Sequence, residues 1–142
     1  MRRHAVLFFI TLVGLLFAAP GQALGKGFLT TGEKAFQGEI GKQGQAEGDK
    51  DEFIFKGDKF RSTACDSYGF GEGRLMIFRA GGDETAEGRT EDFETVTHSP
   101  TDGKMTWKGT YYVRPGRIEG TALWEKPGQP PVKHWFKGEL KK

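Results

Sequence analysis

The residues that could do chemistry are few, and most fall in one stretch, Cys65-Asp66-Ser67-Tyr68-Gly69-Phe70-Gly71-Glu72-Gly73. Cys65 is the chain's one cysteine. A thiol becomes a nucleophile when neighbouring positive charge lowers its pKa, and no basic group adjoins this one. The favoured reading is a small buried residue at a strand end, with Tyr68 and Phe70 packing nearby. The functional alternative is an aromatic-lined lip for a ligand with Cys65 at its rim. A third reading is a disulfide between two copies, since a lone thiol has no internal partner. His98 precedes a turn, whereas His134 shares its parity with Val132 and Phe136 and is expected to point inward. A Cys65–His pair has no nucleophile motif around it, and neither HExxH nor CxxC occurs. No metal, no cofactor and no enzymatic activity are therefore expected. The glycines of Gly69–Gly73 precede no helical pattern and no Lys-Ser/Thr signature, so they read as turn residues rather than a phosphate loop.

Whatever these residues do, strands must position them. Lys104 to Glu125 carries two alternating runs around Arg114-Pro115-Gly116, a hairpin signal. Met105, Trp107, Gly109, Tyr111 and Val113 share one face with Ile118, Gly120, Ala122 and Trp124, while the other face is mostly Lys, Thr, Arg and Glu. A period of two puts one face on a core and the other in water. The expected register sets Val113 opposite Ile118, Tyr111 opposite Gly120, Gly109 opposite Ala122 and Trp107 opposite Trp124. A slip by one residue would turn a whole apolar set to solvent.

Further strands are expected at Ala35–Ile40, Glu52–Lys56, Lys59–Ala64, Arg74–Arg79, Glu91–Thr97 and Val132–Leu140, separated by Gly, Asp and Pro turns. Glycine, at 22 residues, suits a turn-rich all-β chain. Eight strands with short connections predict an antiparallel up-and-down barrel, with a flattened barrel or β-sandwich as the alternative. Closure would pair the first and last strands and remove both edges. The echo between Phe36-Gln37-Gly38-Glu39-Ile40 and Phe136-Lys137-Gly138-Glu139-Leu140 falls in those two strands. Connections alternate between ends, so Gly41–Asp51, Cys65–Gly73, Ser99–Gly103 and Lys126–Pro131 gather at one. That loop-rich mouth is the expected site.

Residues 1–23 read as a secretory signal: Arg2 and Arg3, an apolar run from Ala5 to Ala19, and small residues before cleavage after Ala23. The run is shorter than the roughly 20 residues a spanning helix needs. An arm follows at 24–33, with Phe28 and Leu29 placed to plug the far end, then one barrel domain at 34–142. The expected location is the periplasm or the exterior. Losing the leader leaves acids and bases balanced at 19 each, which removes the case for nucleic acid as a partner. Lys104, Thr106, Lys108, Arg117, Glu119 and Lys137 on the outer face argue against a membrane-embedded barrel.

Phe60-x-Ser62-x-x-Cys65, Tyr68-Gly69-Phe70, Trp107-x-Gly109 and Ile118-x-Gly120 together resemble small secreted bacterial β-proteins with no assigned role. The resemblance implies a calycin-like architecture, as in lipocalins and avidins. The lipocalin Gly-x-Trp near the first strand and the avidin tryptophan spacing are absent, so it implies architecture and no binding residues. The expected function is an exported binding module for a small apolar or amphipathic ligand. Its candidate residues are Cys65, Tyr68, Phe70, Trp107, Trp124 and Phe136. The alternative is a protein-interaction or inhibitor domain with a filled barrel.

Overall fold

Alternating burial runs through the chain as the period-two pattern requires. Along one strand Glu91, Phe93, Thr95, Thr97 and Ser99 are buried and the residues between them are not. The computed structural model describes residues 27–82 and 88–142. The expected signal, the start of the arm and the centre of the acidic turn lie outside the described residues. The elements are β1 (Glu33–Lys42), β2 (Asp49–Lys56), β3 (Lys59–Ser62), a one-turn helix α1 (Thr63–Asp66), β4 (Gly73–Arg74), β5 (Met76–Gly81), β6 (Thr90–Ser99), β7 (Gly103–Tyr112), β8 (Arg117–Glu125) and β9 (Val132–Leu140).

The strands form one antiparallel sheet in the order β4-β3-β2-β1-β9-β8-β7-β6-β5, a nearly closed barrel. The described residues form nine strands rather than the expected eight because the run expected at Arg74–Arg79 breaks at Leu75. Gly73 and Arg74 pair with β3, whereas Met76 to Gly81 pair with β6. Leu75 is buried at the break, and its N–H donates to the Asp58 carbonyl at 2.6 Å. The chain crosses the barrel's seam there, so one residue leaves both ladders.

The first and last ribbons are paired, and the sequence echo lies symmetrically across that pairing. Phe36 faces Leu140, Gly38 faces Gly138 and Ile40 faces Phe136. In the β7–β8 hairpin the expected faces hold but the register differs by two residues. Tyr111 faces Ile118, Gly109 faces Gly120, Trp107 faces Ala122 and Met105 faces Trp124. The turn takes in Val113 as well as Arg114, Pro115 and Gly116. A Trp–Trp pair would crowd one level of a narrow barrel. The glycine pair instead leaves room for a ring, since a Cβ on Gly109 would lie 2.7 Å from both Phe93 Cζ and Phe136 Cζ.

The interior is a column of aromatic side chains. Trp107 meets Phe60, Phe136 and Phe53 at centroid distances of 4.9, 5.4 and 6.2 Å, and Phe36, Phe55 and Phe93 continue the cluster. Burying each phenylalanine is worth about 1.5–3 kcal/mol. The far end is stoppered by the arm. Leu29 is fully buried, and the N–H groups of Phe28 and Leu29 donate to the two Glu91 carboxylate oxygens at 2.9 and 2.8 Å. Glu91 is itself fully buried, with an Arg89 Nη at 3.4 Å.

Candidate functional site

The loop-rich end is left partly unfilled. A cavity of about 360 Å³ opens there, and the sequence of each rim element explains its shape. The loop after β3 starts with Ser62, whose hydroxyl accepts the Cys65 N–H at 3.3 Å and so caps α1. Asp51 on β2 supports this turn from below. It accepts the hydroxyls of Ser62 and Thr63 and the Ala64 N–H, the last at 3.0 Å. Burial pushes the Asp51 carboxyl above its ordinary range, against the pull of these hydrogen bonds. The turn closes with Tyr68 N–H and Phe70 N–H both donating to the Cys65 carbonyl. Gly69 makes the bend at φ +84°, a conformation that favours glycine.

A second tie joins this loop to the β6–β7 turn. The Ser99 hydroxyl donates to the Tyr68 carbonyl at 2.7 Å and accepts the N–H groups of Thr101 and Asp102. Trp124 Nε1 donates to the Asp102 carbonyl at 2.6 Å, which fixes the indole across the mouth. On the outside of the barrel, Trp135 Nε1 donates to the Gln45 carbonyl at 2.9 Å and its ring lies against Gly41. The β1–β2 hairpin is thereby held on the outer wall.

Ile40, Cys65, Phe70 and Met105 are the buried apolar lining, with Ala64 beside them. Trp124 is half-buried and meets Tyr68, Phe70 and His134 at centroid distances of 5.8, 6.2 and 6.2 Å. Tyr68 is 54% exposed, so its ring belongs to the rim. Lys42, Gln45 and Asp49, all from the β1–β2 hairpin, complete the lining as exposed polar groups.

Four of the six candidate residues, Cys65, Tyr68, Phe70 and Trp124, therefore share one cavity. Trp107 and Phe136 do not. They are fully buried in the aromatic column beneath it, and Trp107 Nε1 is committed to Thr97 Oγ1 at 3.1 Å. The two-residue register difference accounts for this split, because it lifts Trp124 to the level of Met105 and lowers Trp107 into the core. His134 points inward as its parity implied and lines the cavity. Ile40, Met105 and Lys42 were not singled out by sequence reasoning, since nothing in their local patterns separates cavity from core. The strand expected at Lys59–Ala64 stops at Ser62 because that serine caps α1.

The two nucleophilic groups of the lining, Cys65 and His134, are both held in their neutral forms. Burial, then Asp51 and Asp66, push the Cys65 thiol up to about 11, against a hydrogen bond from Ser62. Burial lowers the His134 imidazole below its ordinary range, and the Lys42 charge adds to this. Hydrogen bonding with the Val132 and Ala122 carbonyls opposes the shift without reversing it. A catalytic thiolate–imidazolium pair requires both groups to move the other way. Among the described residues no cluster of three or more His, Cys, Asp or Glu is arranged to hold a metal ion.

A depression of about 410 Å³ also lies on the outer face among Asp92, Glu94, Lys108, Thr110 and Glu119. It is shallower and more open, and the Lys108–Glu94 ion pair at 3.7 Å already spans part of it. The mouth cavity is the better enclosed of the two and has the apolar lining a small ligand needs. No family model matches the chain, and neither the curated proteins nor the solved structures include one significantly similar to it.

Proposed function

We propose that this protein is an exported binding module that holds a small apolar or amphipathic molecule in the mouth cavity. The observation that carries the reading is the contrast within one barrel. The interior is packed with rings from Phe36 to Phe136, yet about 360 Å³ is left at the end where Cys65, Phe70, Met105 and Trp124 converge. An open volume lined by fixed apolar groups is what a small-ligand site requires. The neutral thiol and imidazole support binding rather than catalysis. The burial of Cys65, 7% exposed, weighs against a disulfide between copies, because the sulfur would have to leave the lining first. Paired first and last ribbons support the calycin-like reading of the architecture. The charged outer face, with Lys104, Lys108 and Lys137 exposed, supports a barrel that sits in water. No helix among the described residues is long and apolar enough to cross a membrane.

Native mass spectrometry of the protein purified from its own source, before and after reduction, tests the proposal. The expected result is a monomer carrying a small molecule that is lost in the cavity-filling variant Ala64→Phe. A bare chain that also fails to bind naphthalene in titration would overturn it. The exposed Tyr68 ring at the mouth favours one second reading, a loop surface that docks on a protein.

A further inference from the structure

We propose that the molecule held in the mouth cavity is a small zwitterion, a one- or two-ring apolar body carrying an ammonium and a carboxylate close together. This rests on the reading above that the cavity binds a small molecule, and it adds the ligand's class. The first support is an unpaired couple of charges. Lys42 and Asp49 both line the cavity and are exposed, and neither makes an ion pair within 4.0 Å among the described residues. Elsewhere at this end Lys126 pairs with Asp102 at 3.2 Å, Arg61 with Asp66 at 3.4 Å and Lys104 with Glu125 at 3.5 Å, while Glu47, Lys50 and Lys133 have no ion pair among the described residues but do not line the cavity.

The second support is that both charges stand on the cavity side of one hairpin. Asp49 stands opposite Ile40, and Lys42 stands two residues beyond Ile40 opposite His134. Between them the hairpin is pinned to the outer wall, with Trp135 packed on Gly41 and bonded to the Gln45 carbonyl. With no ion pair within 4.0 Å among the described residues, each charge is available to an incoming group of opposite sign. A simple anion that approached Lys42 would meet the Asp49 carboxylate, and a simple cation would meet the Lys42 ammonium. Only a ligand bearing both charges is complementary to the whole rim.

The third support is that Lys42 and Asp49 are the only Lys, Arg, Asp or Glu in the described lining, its other polar side chains being Gln45, Cys65, Tyr68 and His134. Trp124 has spent its indole N–H on the Asp102 carbonyl and offers the ligand a ring face. Phe70, Met105 and Ile40 offer only apolar surface. At about 360 Å³ the cavity sits near the lower end of the roughly 300–1,000 Å³ typical of small-ligand sites, which limits the body to one or two rings.

Isothermal titration of the full chain with four probes tests this: L-phenylalanine, 3-phenylpropionate, 2-phenylethylamine and toluene. The zwitterion should bind tightest, by about two- to fivefold over either singly charged probe, the range expected for partly exposed ion pairs. Lys42→Met should erase the advantage of the carboxylate and Asp49→Asn that of the ammonium. Both advantages should shrink as salt is added. Both substitutions remove exposed, unpaired charges, and an unchanged thermal midpoint verifies that the fold is intact. If toluene or a singly charged probe binds as tightly as L-phenylalanine, the zwitterion class is wrong while the cavity reading stands. If none of the four binds while naphthalene does, the zwitterion class is likewise wrong and the cavity reading stands; if naphthalene fails as well, both are overturned.

Discussion

Cys65 and His134 line the same cavity, and burial acts on them in opposite directions because it disfavours whichever form carries charge. The thiol is pushed up to about 11 and the imidazole is pushed down, so at neutral pH both are uncharged. Alkylation by iodoacetamide should therefore be slow at pH 7.5 and keep accelerating beyond pH 9, followed by mass spectrometry. A rate that levels off below pH 8 would show an activated thiol and contradict this. For His134 the folded-state value lies below the unfolded 6.5, so between the two the unfolded chain binds more protons. Its contribution to stability is complete above pH 6.5 and is lost as pH falls below that value. Urea unfolding midpoints of the native protein should drop more steeply between pH 7.5 and 5 than those of His134→Gln. Equal slopes would mean that the imidazole is no better desolvated than in the unfolded chain.

Elements carry what single residues cannot, and here the limits of the sequence are clearest. The faces of β7 and β8 were legible because a period of two leaves Met105, Trp107 and Tyr111 with no other way to be buried together. The register was not, since a two-residue shift preserves both faces and only the turn and the packing across the barrel choose between the options. Gly109 against Gly120 won because Phe136 needs their space, a fact about β9 that no local pattern in the hairpin contains. The same non-local choice moved Trp124 into the cavity and Trp107 out of it, so four of the six candidate residues were readable and Trp107 and Phe136 were not. The break at Leu75 was likewise invisible, because it answers to neighbours on both sides of the seam. Gly120→Ala tests this packing. Its Cβ would strike the Lys108 carbonyl oxygen and lie 2.8 Å from Phe136 Cζ. Neither neighbour can retreat without disturbing a ladder or the ring column. The substitution should cost about 1–3 kcal/mol in chemical unfolding, the usual range for overpacking a core. A neutral result would mean that the ring column yields more easily than close packing allows.

At the scale of the whole molecule, the two ends are finished differently and a packed column separates them. Leu29 and the Glu91 carboxylate hold the arm in one end, while Asp51 supports the α1 loop that frames the cavity at the other. Between them the rings of Phe55, Phe60, Phe53, Trp107 and Phe136 make continuous contact. A ligand can therefore enter the mouth without passing through the barrel, and a change at the stopper should be felt as lost stability rather than lost binding. Leu29→Ala removes a fully buried side chain and should cost about 2–5 kcal/mol. Asp51→Ala leaves the Ala64 N–H and two hydroxyls without their acceptor and should cost about 1–3 kcal/mol, whereas Asp51→Asn retains an acceptor and should cost less. Because the two sites share no partner, the Leu29→Ala, Asp51→Ala double variant should equal the sum of the single effects within about 0.5 kcal/mol. Naphthalene affinity at the mouth should survive Leu29→Ala and fall in Asp51→Ala. A departure from additivity beyond about 1 kcal/mol would instead show that the aromatic column shifts as a unit and couples stopper to mouth.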